Sequence, residues 1–93
     1  MSRKDIILEN IRYICKCRGL KIGDIERKVG VSAGYVARTK KRASPSFENI
    51  VRFAEVLGVP WEYLADEDLK RKEKVSQLKR IIAEAQEELK KYE

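Results

Sequence analysis

Apolar residues recur three and four positions apart along this chain, and no alternating apolar and polar run persists anywhere. Such spacing places apolar side chains on one face of a helix, whereas a half-buried strand needs a period of two. Glycine, proline and serine interrupt the pattern at short intervals. The sequence therefore predicts an all-α protein of short helices, and its 93 residues are enough for one domain with an extension.

Five short helices are predicted before residue 66. They run from about Lys4 to Cys17, from Ile22 to Val29, from Ala33 to Lys41, from Phe47 to Leu57, and over a short stretch that has Pro60 at its first position and carries Trp61 and Leu64. Ser32 and Ser46 are suitable N-caps for the third and fourth of these helices. Gly30 and Gly58 are suitable helix ends, because glycine tolerates the positive φ of a sharp reversal.

A sixth helix is predicted after the acidic residues 66–68, which complement the dipole of a helix N-terminus. Its apolar residues are spaced 3, 4, 3, 4, 3, as in a heptad repeat. This set is termed the apolar seam and consists of Val75, Leu78, Ile82, Ala85, Leu89 and Tyr92. The seam is predicted to pair two copies of the chain or to bind another protein; the alternative is a helix that folds back on helix one or five.

Composition excludes several kinds of chemistry. Histidine is absent, so no imidazole base or imidazole metal ligand exists. Cys15 and Cys17 are two positions apart, and on a helix their side chains point roughly 200° apart, which prevents chelation. Cys15 is expected in the core and Cys17 at its edge. We predict no catalytic residue, no cofactor and no metal site.

The charge is concentrated in one part of the chain. The net charge is +6, and residues 1–65, with 13 basic and 7 acidic side chains, carry all of it, while residues 66–93 are neutral. Between residues 27 and 42 there are six basic residues and no acidic one. A charged run is usually a solvated face, but this imbalance favours an acidic partner, most often nucleic acid.

No apolar run reaches the ~18 residues that a membrane-spanning helix requires, and the N-terminus lacks the pattern of a signal peptide. A cytoplasmic location is therefore expected, of the nucleoid-associated kind found in bacteria or phages.

Residues 22–39 match a helix-turn-helix, in which Gly30 opens the tight turn, an apolar residue follows, and two short helices pack at a fixed angle. With a later Leu-Gly-Val and five helices in register, residues 6–65 resemble the lambda-repressor-like, Cro/XRE-type transcriptional regulators. The resemblance is carried by Leu20, Ile25, Val29 to Ser32, Gly34 to Arg38, Pro45 to Phe47 and Ala54 to Leu64.

The resemblance implies a five-helix DNA-binding domain in residues 1–65, with its third helix in the major groove of double-stranded DNA. Residues 66–93 then form a C-terminal amphipathic helix for dimerisation or partner binding. Two positions depart from the family pattern: Ile22 stands where glutamine is common, and Glu26 where alanine is common.

The start of the third helix is predicted to face base edges. The predicted base contacts are Ala33, Gly34 and Arg38. Ala33 suits a thymine methyl group, and the fork of Arg38 suits guanine O6 and N7. The alternative roles for Arg38 are a phosphate contact or a solvated side chain.

Phosphate contacts are predicted for a second set, which consists of Ser32, Tyr35, Lys40, Lys41 and Arg42. For Tyr35 the alternative is packing between helices, and Ser32 is a cap first.

Two functions follow from these patterns. The first is a sequence-specific DNA-binding regulator, a repressor acting as a homodimer, because one small domain buries too little surface for operator affinity near ~10⁻⁸ M. The alternative is a protein-interaction module, of antitoxin type, that uses the C-terminal helix.

Overall fold

Six helices build the fold over residues 3–42 and 45–92, the residues described by the computed structural model; side chains are described for residues 6–39 and 45–92. The helices are α1 (Arg3–Cys17), α2 (Ile22–Val29), α3 (Tyr35–Arg42), α4 (Phe47–Leu57), α5 (Trp61–Leu64) and α6 (Leu69–Lys90). Over these residues there is no strand, and the predicted all-α fold is confirmed.

The core gathers the apolar stripe of every helix. Its members include Leu8, Ile11 and Ile14 of α1, Ile25 and Val29 of α2, Val36 of α3, Phe53 and Leu57 of α4, Leu64 of α5 and Leu69 of α6. Each apolar side chain that is fully buried contributes about 1.5–3 kcal/mol, so this cluster is the main source of stability. The helical spacing predicted these positions.

Two helix ends follow the predicted chemistry. Ser46 is the N-cap of α4, and its hydroxyl oxygen accepts a hydrogen bond from the Asn49 backbone N–H at 3.2 Å. Gly58 ends α4 with φ +72°, a conformation that costs glycine little. Pro60, predicted at the first position of α5, is instead its N-cap, and the helix begins at Trp61. Phe47, at the start of α4, is 59% exposed, and its ring meets Trp61 edge-on at 5.1 Å.

The start of α3 corrects the prediction. The helix begins at Tyr35 rather than at Ala33, and Gly34 adopts φ +81° immediately before it. Ser32 is therefore not its N-cap; its carbonyl accepts the Tyr35 N–H at 3.1 Å in a turn that precedes the helix. The reason is that the carboxylate of Glu26 takes the place of the cap, as described below.

α6 is attached to the domain by its first turns and then leaves it. Leu69 and Glu73 are buried, whereas all six residues of the apolar seam are exposed. The seam therefore does not fold back on α1 or α5. At 22 residues, α6 is about 33 Å long, which accounts for the elongated 56 × 26 × 19 Å envelope.

Candidate nucleic-acid interface

The turn between α2 and α3 is closed by backbone hydrogen bonds. Gly30 has φ +93°, and its N–H donates to the carbonyls of Glu26 (3.0 Å) and Arg27 (3.2 Å). The Val31 N–H donates to the same Glu26 carbonyl at 3.1 Å. Ile25, Val29 and Val36 are buried and Val31 is half-buried, as the helix-turn-helix pattern predicted. The angle between the two helices is therefore fixed by packing and by the turn.

Glu26 fixes the start of α3. Its side chain is 2% exposed, and its two carboxylate oxygens accept the backbone N–H groups of Gly34 (3.1 Å) and Val36 (2.9 Å). The first N–H groups of a helix lack partners within the helix, and a carboxylate at that end also complements the helix dipole. A side chain from α2 thus caps α3, and this joins the two helices by hydrogen bonds as well as by packing.

Sequence reasoning noted Glu26 only as a departure from the family pattern. An acidic residue at a position that faces the core was the available signal, because a buried carboxylate requires hydrogen-bond donors. What the sequence did not provide was the identity of those donors, eight and ten residues further along the chain.

The outer face of the motif carries the predicted base contacts. Ala33, Gly34 and Arg38 are all exposed, and the Arg38 guanidinium donates a hydrogen bond to the Ser32 hydroxyl oxygen. That contact spans the turn and brings together one predicted base contact and one predicted phosphate contact. Ala33 and Gly34 lie in the turn before α3 rather than in its first helical turn.

Tyr35 packs into the protein. Its ring stacks on Phe53 with centroids 6.1 Å apart and 21° between planes, and its hydroxyl oxygen accepts a hydrogen bond from Asn49 Nδ2 at 3.0 Å. The ring of Tyr35 therefore packs between helices, while its hydroxyl group is directed toward the N-terminal turn of α4. Asn49 was not singled out in the sequence, since nothing in its neighbourhood marks it as a partner of a residue fourteen positions earlier.

Positive charge lies on both sides of the turn. Arg27 and Lys28 are exposed at the end of α2, and Arg27 is 3.7 Å from Asp24 in an exposed ion pair. The backbone of Lys40, Lys41 and Arg42 belongs to the last turn of α3. Their side chains lie outside the described part of the structure, so their phosphate contacts stay predictions.

The two thiols are separated as expected. Cys15 is buried and Cys17 half-buried, and burial raises the pKa of the Cys15 thiol against the opposing influence of Arg18. Among the described residues, no group of three or more cysteine, aspartate or glutamate side chains is placed to hold a metal ion. Within the same residues, no helix is both long and apolar enough to cross a membrane.

Comparison with protein families assigns the chain. A helix-turn-helix family model matches residues 11–64, which is more than half of the chain and includes α2, the turn, α3, α4 and α5. The protein therefore belongs to the helix-turn-helix family of Cro/C1 type, a family of DNA-binding regulators. Comparison with curated proteins and with solved structures gave no match.

Proposed function

We propose that this DNA-binding regulator is a sequence-specific transcriptional repressor that binds double-stranded DNA as a homodimer, with α3 in the major groove. The observation that carries the proposal is the exposed Ser32–Arg38 pair on a helix-turn-helix whose inner face is fully packed. An arginine held by a hydroxyl group loses less conformational freedom when it binds a guanine edge.

In this proposal the two contact sets have different tasks. Ala33, Gly34 and Arg38 contact base edges, and Gly34 supplies close backbone approach because it has no side chain. Ser32, Tyr35, Lys40, Lys41 and Arg42 contact phosphates, which sets position and affinity without sequence preference. Residues 1–65 bind the DNA, and residues 66–93 pair two copies.

In this proposal the protein represses transcription by occupying the promoter. A dimer bound at a promoter excludes polymerase from the same DNA, so no separate effector is needed. Pairing matters because a single domain of this size buries too little surface for operator affinity, whereas two domains bind half-sites about one turn, ~34 Å, apart.

Selection of bound duplexes from random DNA, followed by sequencing, tests the proposal. We expect an enriched motif with two-fold symmetry. As the salt concentration rises, we expect the affinity of the protein for the selected DNA to fall much less steeply than its affinity for random duplex. Binding that depends steeply on salt and enriches no motif would contradict sequence specificity.

A second candidate function is supported by the exposed seam. In this alternative, the chain is a protein-interaction module of antitoxin type, and the seam binds a different protein. Sedimentation of the purified chain separates the two: a stable dimer supports the repressor, and a monomer that dimerises only with another protein supports the module.

A further inference from the structure

All six residues of the apolar seam are exposed in the single chain. Its large residues are exposed to between 44% for Val75 and 81% for Tyr92, and the neighbouring Ile81 is 59% exposed. From Lys74 to Lys90, α6 extends about 25 Å beyond the domain with an apolar stripe along one side. A contiguous stripe of this kind marks an interaction surface.

The charges beside the seam are unequally distributed along α6. With Val75, Ile82 and Leu89 at heptad a and Leu78, Ala85 and Tyr92 at d, the flanking e and g positions follow directly. Those of the first half are Lys72, Lys74, Lys79 and the apolar Ile81, whereas those of the second half are Gln86 and Glu88. Further out, Arg80 continues the basic half, and Glu84 and Glu87 continue the acidic one.

Two shallow grooves next to the seam show the same difference in charge between the two halves of α6. The groove at the start of α6 has a volume of about 520 Å³ and is lined by Arg71, Lys72, Val75, Ser76 and Lys79. The groove at its end, of about 310 Å³, is lined by Ala85, Glu88, Leu89 and Tyr92. The groove at the start of α6 therefore has basic side chains around an apolar residue, and the groove at its end has an aromatic ring beside a carboxylate.

We infer that α6 pairs with α6 of a second copy of this chain in the antiparallel orientation. The inference rests on the homodimer of the proposed function and adds its geometry. In the register that uses the whole seam, Val75 lies level with Tyr92 of the second copy, Leu78 with Leu89, and Ile82 with Ala85, which gives six apolar layers.

Charge complementarity selects this orientation. Antiparallel pairing lays the basic first half of α6 along the acidic second half of the second copy. Across the seam e then faces e and g faces g, so that Lys79 lies beside Gln86 and Ile81 beside Glu88. Tyr92 of the second copy lies at the groove lined by Arg71 and Lys79, where a cation can meet the face of its ring. Parallel pairing instead places Lys74 against Lys79 of the second copy on both sides, and like charges facing each other are destabilising.

The antiparallel pair also separates the two DNA-binding domains. Glu73, the last α6 residue buried in the domain, lies roughly 31 Å along the axis from its counterpart in this register. Parallel pairing gives no separation along the axis.

Distances between spin labels test the orientation in the full chain. The labelled variants are Ser76→Cys near the start of α6 and Ala83→Cys at its centre, each with Cys17→Ser; Cys15 is buried and stays. In the antiparallel dimer, the two labels at position 76 are offset along the axis by about 22 Å, and those at position 83 by less than about 2 Å. We therefore expect a clearly longer distance at position 76 than at position 83.

Each other outcome has a definite meaning. Equal short distances at both positions, in a protein that sediments as a dimer, would establish the parallel pair and overturn this inference while leaving the proposed homodimer intact. A monomeric mass without dipolar coupling would overturn both the antiparallel pair and the proposed homodimer. It would indicate that the seam binds a different protein. Circular dichroism of each variant verifies that the helical fold is retained.

Salt dependence gives a second measurement that needs no label. Because the antiparallel pair lays the basic half of α6 along the acidic half of the second copy, whereas the parallel pair opposes like charges, added salt weakens the first and strengthens the second. Sedimentation equilibrium of the unmodified chain at low and high salt is expected to show a dissociation constant that rises with salt. A constant that falls would contradict the inference.

Discussion

The guanidinium of Arg18, just beyond α1, holds the buried carboxylate of Glu73 in α6. Nε lies 2.7 Å from Oε1 and Nη2 lies 3.4 Å from Oε2, and the Tyr63 hydroxyl donates to Oε2 at 2.8 Å. Arg18 also donates to the Leu57 carbonyl at 3.0 Å. Residues from α4, α5 and α6 are thereby joined at one point, and the base of α6 is fixed to the domain.

Removing Arg18 is expected to be strongly destabilising. In Arg18→Met, the Glu73 carboxylate, 1% exposed, loses its charged partner, and a cost of about 3–5 kcal/mol in the free energy of unfolding is typical of such a buried site. Urea denaturation measures the change. The matched control is Arg52→Met, which breaks an exposed ion pair with Glu48 and is expected to cost less than about 1 kcal/mol. Equal losses for the two variants would contradict this account of Glu73.

Stability is expected to fall in strong alkali through Tyr63. Burial and the bond to Glu73 raise the pKa of this phenol from 10.0 to about 12. The fold therefore favours the neutral phenol; this contribution is complete below pH 10 and is lost as the pH rises through about 12. Urea denaturation across this range should show a smaller pH dependence for Tyr63→Phe. Tyr92→Phe, at a residue 81% exposed, is the control and should leave the slope unchanged.

Acid is expected to act on the same cluster through Glu73. Burial disfavours its carboxylate, but the hydrogen bonds from Arg18 and Tyr63 outweigh that cost, and the net result is a lowered pKa. The contribution of Glu73 to stability is therefore present above its unfolded pKa and lost as the pH falls through the lower, folded value. Glu73→Gln should flatten the decline in the free energy of unfolding below pH 4.5, the ordinary value for glutamate. If the free energy of unfolding of this variant declined below pH 4.5 as steeply as that of the unmodified chain, the result would contradict a lowered pKa of Glu73.

Glu26→Ala is expected to loosen the start of α3. The substitution leaves the N–H groups of Gly34 and Val36 without their acceptor; that of Val36 is buried, and a buried unsatisfied donor costs about 1–3 kcal/mol. Amide hydrogen exchange at these two positions should accelerate more than the global loss of stability explains. The control is Glu55→Ala, at an exposed position of α4, which should leave both rates unchanged. Unaltered amide exchange at Gly34 and Val36 in Glu26→Ala would show that Glu26 does not cap α3.

Two basic residues of α3 are expected to affect DNA binding differently. Arg38→Ala should weaken binding to the selected site by about 1–3 kcal/mol and relax the preference at one base pair. Lys41→Ala should weaken binding to every sequence alike and lower the salt slope. Lys16→Ala removes a positive charge from an exposed position of α1 and serves as the control. Equal losses for Arg38→Ala and Lys41→Ala on selected and random DNA would refute the separate roles.

Local signals predicted most of the fold. Gly30, Ser46 and Gly58 mark helix limits through backbone preferences that act within a few residues, and those limits agree with the structure. The start of α3 was misplaced because Ser32 is an ordinary cap residue, while the cap that operates comes from α2. Local spacing carries no information about such a contact.

The candidate site was predicted to a similar degree. The exposure of Ala33, Gly34 and Arg38 agrees with the helix-turn-helix pattern, since that pattern specifies which face is buried. The Ser32–Arg38 and Tyr35–Asn49 hydrogen bonds were not predictable, because each depends on how a turn or a neighbouring helix is placed in space. The same is true of Arg18 and Glu73, which are 55 positions apart.

The connection between α5 and α6 has a consequence for the DNA that the protein accepts. Asn10 Nδ2 donates to the carbonyls of Leu64 (2.7 Å) and Asp66 (2.9 Å), and the Asp66 carboxylate accepts the Asp68 N–H at 2.8 Å. With Glu73 held as well, the direction of α6 is set within one chain before any second copy or DNA is bound. The dimer that we propose would have little freedom to follow a changed half-site spacing, because its two domains are held by such a connection. Inserting about five base pairs, half a helical turn, between the half-sites therefore turns the second one to the far side of the duplex, out of reach of its domain.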